Sequence, residues 1–333
     1  MPGLDDLLSF VLRAVEVTPT YAPDRCLVVR SGAEACRACL DVCPHQAVRI
    51  DEQVELDAVN CTGCGLCVRA CPSEALTAPP RIEPGPALRC SRVAGDAAGV
   101  RCLAQLSAAD LVRLAGDGEG LTLARGECAG CKVGGAAVPE VVQATVEQAR
   151  ELLALHGRRL VVNVSHQARL DAPAPTRRVS RRDLFKSGAR EVARGAAEAL
   201  APLEALLPGQ AGELGGHAPP PEAARRLRLI AAARPAQDAL VPWRLPRVAD
   251  GCIMCPACTR ACPTGALERD FSGPQAVLRL KPDACVGCDA CVAACPVRVM
   301  SMDDEVTWGE LEGGASEAFR SSPERLGTGA VPR

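Results

Sequence analysis

Four runs of the form Cys-x-x-Cys-x-x-x-Cys-Pro stand in two widely separated pairs: Cys36-Cys39-Cys43-Pro44, Cys64-Cys67-Cys71-Pro72, Cys255-Cys258-Cys262-Pro263 and Cys288-Cys291-Cys295-Pro296. Three of them carry a further cysteine three residues upstream, namely Cys61, Cys252 and Cys285. With Cys26 added to the first run there are sixteen thiols, enough for four [4Fe–4S] clusters. A cubane needs thiolates converging on one corner-shaped object. Cysteines three apart on a tight loop wrap three iron corners, and the fourth ligand comes from elsewhere. Gly63, Gly65 and Gly287 permit positive φ, so backbone can pack closely around an inorganic core. The proline after each last cysteine ends the short helical turn that carries it, because it cannot supply the next amide.

The first run departs from the pattern. Ala33 stands where a cysteine is expected, and the nearest upstream thiol is Cys26, across the intervening LVVRSGAEA. Cys26 is expected to be the missing ligand, the alternatives being a three-iron cluster or an unrelated ligand. Two other uses of cysteine fit poorly. Zinc takes paired Cys-x-x-Cys units and has no use for triplets ending in Cys-Pro. Disulfides need an oxidising compartment. The stretch MPGLDDLLSFVLRAVEV has acidic residues where a signal peptide has basic ones. No run approaches the ~20 apolar residues of a membrane span. The expectation is a cytoplasmic chain without a transmembrane segment, reaching membranes only through partners.

Four further cysteines, Cys90, Cys102, Cys128 and Cys131, lie between the pairs of runs. Around them ALRCS, GVRCL, LTLARGEC and RLVVNVS read as short buried strands, alternating with helical patterns in SAADLVRLAGDG and PEVVQATVEQARELLALHG. Such alternation predicts a small parallel α/β sheet. Ser107 is placed as an N-cap with Asp110 three residues on. Cys90 and Cys102 fall at or near strand ends, and Cys128-Ala-Gly-Cys131 follows the third strand. Ligands gather at the carboxyl ends of strands in open α/β sheets. The four thiols are therefore candidates for a fifth centre, [2Fe–2S] first, then [4Fe–4S], then zinc. A redox-active pair at Cys128 and Cys131 is an alternative, and Cys90 and Cys102 as plain buried hydrophobes is another.

The expected fold class is α+β: two ferredoxin-like dicluster modules flanking the small parallel-sheet domain and a helical linker. The boundaries are 1–79, 84–168 for the four-cysteine α/β domain, 169–240 for the linker with helices, 241–303, and a flexible tail over 304–333. Within the linker, SRRDLFK resembles a twin-arginine signal, but it begins at Ser180 and runs on through Arg190, Glu191 and Arg194. Ser180 and Asp183 fit a helix-starting capping box better. Lys186, Arg190 and Arg194 then share one helix face, expected to be solvated, with docking of an acidic partner as the minority reading. Net charge is −2, so no global field argues for nucleic acid. Aromatics are 2% of the chain, which leaves the core to Ala, Leu, Val and any bound clusters.

Residues 26–76 and 250–302 resemble bacterial-type dicluster ferredoxin domains, on the cysteines and prolines given above. That resemblance implies crossed ligation, in which the last cysteine of each run serves the other run's cluster. Cys26, Cys36, Cys39 and Cys71 would hold the first cluster, and Cys61, Cys64, Cys67 and Cys43 the second. Cys252, Cys255, Cys258 and Cys295 would hold the third, and Cys285, Cys288, Cys291 and Cys262 the fourth. The run GCIMCPACTRACPTGAL with CVGCDACVAACP is similar to iron–sulfur subunits of multisubunit oxidoreductases. The middle domain loosely resembles the small iron–sulfur delta subunit that links hydrogenase to heterodisulfide reductase. The function implied is electron transfer, as a subunit of a redox complex or a carrier for redox partner proteins. The alternatives are a catalytic oxidoreductase with its site at Cys128 and Cys131, and a cluster-assembly scaffold. There is no Gly-rich dinucleotide fingerprint, no phosphate loop and no His-Glu-x-x-His in the chain. The histidines are scattered, and His45, beside Cys43-Pro44, is expected to be exposed and inert.

Overall fold

Hydrophobic runs such as Val48–Ile50 are too short to build a sheet that stands alone, and the structure uses them as two-stranded ribbons. This computed structural model describes residues 17–78, 82, 85–118, 120–169 and 220–321. In the first module β1 (Thr20–Tyr21) is followed by α1 (Leu27–Ser31), α2 (Ala38–Asp41), β2 (Val48–Ile50), β3 (Val54–Leu56), α3 (Leu66–Ala70) and β4 (Leu76–Thr77). β2 and β3 form an antiparallel hairpin, while β1 pairs antiparallel with β4 and so closes the module end to end.

The middle domain is built differently. β5 (Ala87–Cys90), β6 (Ala98–Val100), α4 (Ala108–Ala115), β7 (Gly120–Arg125), α5 (Val138–Ala154) and β8 (Val161–His166) give a four-stranded sheet ordered β6-β5-β7-β8, parallel throughout. This is the expected strand–helix alternation. Leu88, Leu121 and Leu123 of the sheet are fully buried against Leu111 of α4 and Leu152 and Leu153 of α5. α4 starts at a capping box, with the Asp110 amide donating to Ser107 Oγ at 3.2 Å and the Ser107 amide to Asp110 Oδ2 at 3.0 Å. One expectation fails: β8 is no buried strand. It is the sheet edge among the described residues, with Val161 and Val164 exposed and a partner strand, β7, on one side.

The linker helix α6 (Pro221–Ala233) carries the core onward through the fully buried Ile230. The same cluster continues into Trp243, Leu245 and Leu278 of the last third. There β9 (Leu240–Val241) and β10 (Leu245–Val248) precede α7 (Ala257–Ala261), β11 (Leu267–Asp270), β12 (Val277–Leu280), α8 (Ala290–Ala293) and β13 (Met300–Asp303). β10 pairs with β13, and β11 with β12, repeating the plan of the first module.

Residues 304–321, expected in a flexible tail, are folded. β14 (Val306–Thr307) pairs with β9, α9 (Trp308–Glu312) follows, and β15 (Ser316–Arg320) adds a third strand to the β11–β12 hairpin. A Thr307–Glu310 capping box starts α9, and buried Trp308 and Leu311 anchor it. Two such anchors outweigh a Gly- and Glu-rich composition. Residues 170–219, with the expected helix from Ser180 and the basic face of Lys186, Arg190 and Arg194, lie outside the described residues.

Candidate functional site

Each Cys-Pro opens the same turn. Three residues after the cysteine the backbone takes a positive φ: 52° at Gln46, 51° at Glu74, 65° at Gly265 and 53° at Arg298. In three of the four turns the following amide then points back at the thiol. Ala47, Ala75 and Ala266 donate to the Sγ atoms of Cys43, Cys71 and Cys262 at 3.4, 3.2 and 3.2 Å. Proline, lacking an N–H, leaves that sulfur to the later amide. Inside the Cys-x-x-Cys loops, Gly63, Met254 and Gly287 share a positive φ of 67, 54 and 68°. Gly130, at the same place between Cys128 and Cys131, has 64°.

These loops bring the thiols together in crossed sets. Cys43, Cys61, Cys64 and Cys67 line one cavity, and Cys262, Cys285, Cys288 and Cys291 another. Burial, then the neighbouring Cys71, Cys36 and Cys26, pushes the Cys39 thiol up to about 11. Burial also raises Cys252, which faces Cys255 and Cys295. Cys67, Cys285 and Cys291 are pushed up to about 12, again first by burial. Unaided, such thiols stay protonated. A bound cation is what turns them into thiolates, with release of protons.

Cys26 lies buried beside Cys36 and Cys39, at the end of a tight turn in which its amide donates to Pro23 O at 3.0 Å. Cys285 ends an equivalent turn, its amide donating to Pro282 O at 3.1 Å. Both turns read Pro-Asp-x-Cys, a signal in the sequence that marks Cys26 as the counterpart of Cys285.

In the middle domain Cys90, Cys102, Cys128 and Cys131 line a single cavity at the carboxyl ends of β5, β6 and β7. It is a small recess open on one side, similar in extent to the cavities of the second and fourth thiol sets. The Cys102 thiol is pushed up to about 12, first by burial and then by Cys64, Cys90 and Cys128. Among the described residues no three His, Cys, Asp or Glu side chains converge as ligands of one metal ion would. The thiols instead stand around spaces. Arg92, Arg101 and Arg125 line the middle cavity too, none of them apparent from motif spacing.

The sets are also neighbours of one another. Cys102 acts on Cys64, and Cys39 on Cys67. Cys36 and Cys288 pack on one small cluster of Leu27, Ala261 and Ala290, where Arg30 donates to Arg260 O at 2.8 and 3.1 Å. Cys258 acts on Cys291. The succession is therefore middle, second, first, fourth, third. The first junction is tight: a Cβ at Gly65 would stand 2.8 Å from Gln105 Cα, and Arg101 donates to Thr62 O. His45, expected to be exposed, is half-buried and contacts Val133 O at 3.0 Å across the same junction.

Residues 34–75 and 251–299 each match the 4Fe-4S dicluster domain family, so the chain carries two dicluster ferredoxin modules. No curated protein and no solved structure matches the chain. Among the described residues, no helix is long and apolar enough to cross a membrane.

Proposed function

We propose that the chain is an electron-transfer subunit or carrier for redox partner proteins, with four [4Fe–4S] clusters on the crossed cysteine sets and a fifth iron–sulfur centre in the middle domain. The observation that carries this reading is the unbroken succession of thiol sets. A series of one-electron centres in which each neighbours the next relays electrons, and the protein sets its potentials through hydrogen bonds to sulfur, burial and local charge.

Cys26, Cys36, Cys39 and Cys71 would hold the first cluster; Cys43, Cys61, Cys64 and Cys67 the second. The third would rest on Cys252, Cys255, Cys258 and Cys295, and the fourth on Cys262, Cys285, Cys288 and Cys291. Ala47, Ala75 and Ala266 would each give an amide hydrogen bond to a ligating sulfur. The fifth centre would rest on Cys90, Cys102, Cys128 and Cys131, which line one cavity as the second and fourth sets do; its candidates are [2Fe–2S], then [4Fe–4S], then zinc.

Iron and acid-labile sulfide counted on anaerobically purified protein test the reading, with EPR of the dithionite-reduced sample. About twenty of each per chain supports five [4Fe–4S] centres, and about eighteen makes the fifth [2Fe–2S]. About sixteen, unchanged in a Cys128→Ser variant, removes the fifth iron–sulfur centre and leaves the middle domain structural or zinc-bound.

A further inference from the structure

The surroundings of the thiol sets differ in charge. The second cavity has no Lys, Arg, Asp or Glu in its lining, although Arg101 reaches its loop, donating to Thr62 O and acting on Cys61 and Cys64. The fourth has Asp289 alone, and the nearest cation, Arg244, is held between Asp289 at 3.2 Å and Asp304 at 2.5 Å. At the third set Arg269 approaches, donating to Met254 O at 3.2 Å. At the first set Asp41 acts on Cys36, and Cys71 lines a pocket in which Arg69, Arg225 and Arg226 face Glu74, Asp110 and Glu222.

The middle cavity is lined by Arg92, Arg101 and Arg125 against one carboxylate, Glu127. Arg92 is buried, and an Nη of Arg125 lies 3.8 Å from Cys128 Sγ. Glu127 is exposed and accepts the Ala129 amide at 2.9 Å. Positive charge beside a redox group stabilises the added electron, and does so most strongly where water is excluded.

We infer that Arg92 and Arg125, with Arg101 shared between the middle and second sets, make the middle-domain centre the most easily reduced in the chain, so that electrons entering at the ferredoxin modules collect there. The inference rests on the fifth centre proposed above. Electrons enter singly from a low-potential one-electron donor protein. Each is lost by the group on Cys43, Cys61, Cys64 and Cys67 and gained by the one on Cys90, Cys102, Cys128 and Cys131. No proton or bond moves. Arg101, which lines the middle cavity and donates to Thr62 O in the second loop, stands between the two.

An EPR-monitored redox titration of the full-length, cluster-loaded protein tests this, with the middle signal defined as the one lost in Cys128→Ser. That signal should be the first to appear as the potential is lowered. Arg125→Gln should lower its reduced-to-oxidised ratio at fixed potential about tenfold, about 59 mV for one electron, and Arg125→Lys should restore most of it. Arg101→Gln, at a separate position, should shift the same signal in the same direction. A middle signal that appears last, or that neither Arg→Gln variant moves, overturns the inference while leaving the fifth centre in place. Iron near sixteen with no Cys128-dependent signal overturns the centre and the inference together.

Discussion

In the N-terminal ferredoxin module no strand exceeds three residues, and three of the nine residues buried in its core are cysteines, Cys26, Cys39 and Cys67. In the middle domain, Leu88, Leu111, Leu121, Leu123, Leu152 and Leu153 are fully buried between sheet and helices, with the four thiols at one edge of that packing. The same loop chemistry is thus mounted on two kinds of support. In one the ligands are a third of a small core. In the other Cys90, Cys102 and Cys128 join a far larger core built on leucine. Small modules that bury little apolar area lean on metal for their stability, whereas a leucine-rich sheet does not need it.

Stripping the iron should separate the two supports most sharply. After chelation under reducing conditions, amides of β2, β3 and α3 should exchange with solvent as in an unfolded chain, while those of β5 and β7 stay protected. Equal loss of protection in both regions would break the comparison. The next largest effect concerns the leucine core. Leu123→Ala, at a site with no exposure, should cost about 2–5 kcal/mol in denaturant unfolding of the middle domain. Iron content should be unchanged, since Leu123 is not among the residues lining the thiol cavity.

The smallest effect lies between the regions. Glu74 of the first module accepts the Glu222 and Ala223 amides at the start of α6, at 3.1 and 3.2 Å, and burial raises its pKa from 4.5. A carboxyl raised in the folded state contributes stability that is complete below about pH 4.5. That contribution is lost as pH rises through the folded value. Glu74→Gln keeps an acceptor without the charge. It should flatten the fall in melting temperature between pH 5 and 7.5 in the cluster-loaded protein, and an unchanged slope would assign the fall to other groups.

The ferredoxin modules are legible in the sequence because ligand spacing is local: Cys36, Cys39 and Cys43 carry their geometry in two short intervals. The sheet is legible because buried runs such as Leu121–Leu123 alternate with amphipathic helices. β14, α9 and β15 are not, because their partners β9 and β12 are distant in the chain, although the Thr307–Glu310 pair was there to be seen. The edge position of β8 depends on strand order, which hydrophobicity does not encode. His45 and Glu74 gain their roles from contacts with Val133 and α6 that no local pattern announces. The arginines of the middle cavity are scattered over two loops and the last residue of β7 and carry no motif.

The strand β15 sets an order on synthesis. Ribosomes add about 5–20 residues each second, and domains emerging first fold first. The N-terminal module and the parallel sheet can take shape while the rest of the chain is still being made. The last module cannot, because the free edge of β12 gains its cover only when Ser316–Arg320 has left the exit tunnel. Until then that edge is open to pairing with another nascent chain.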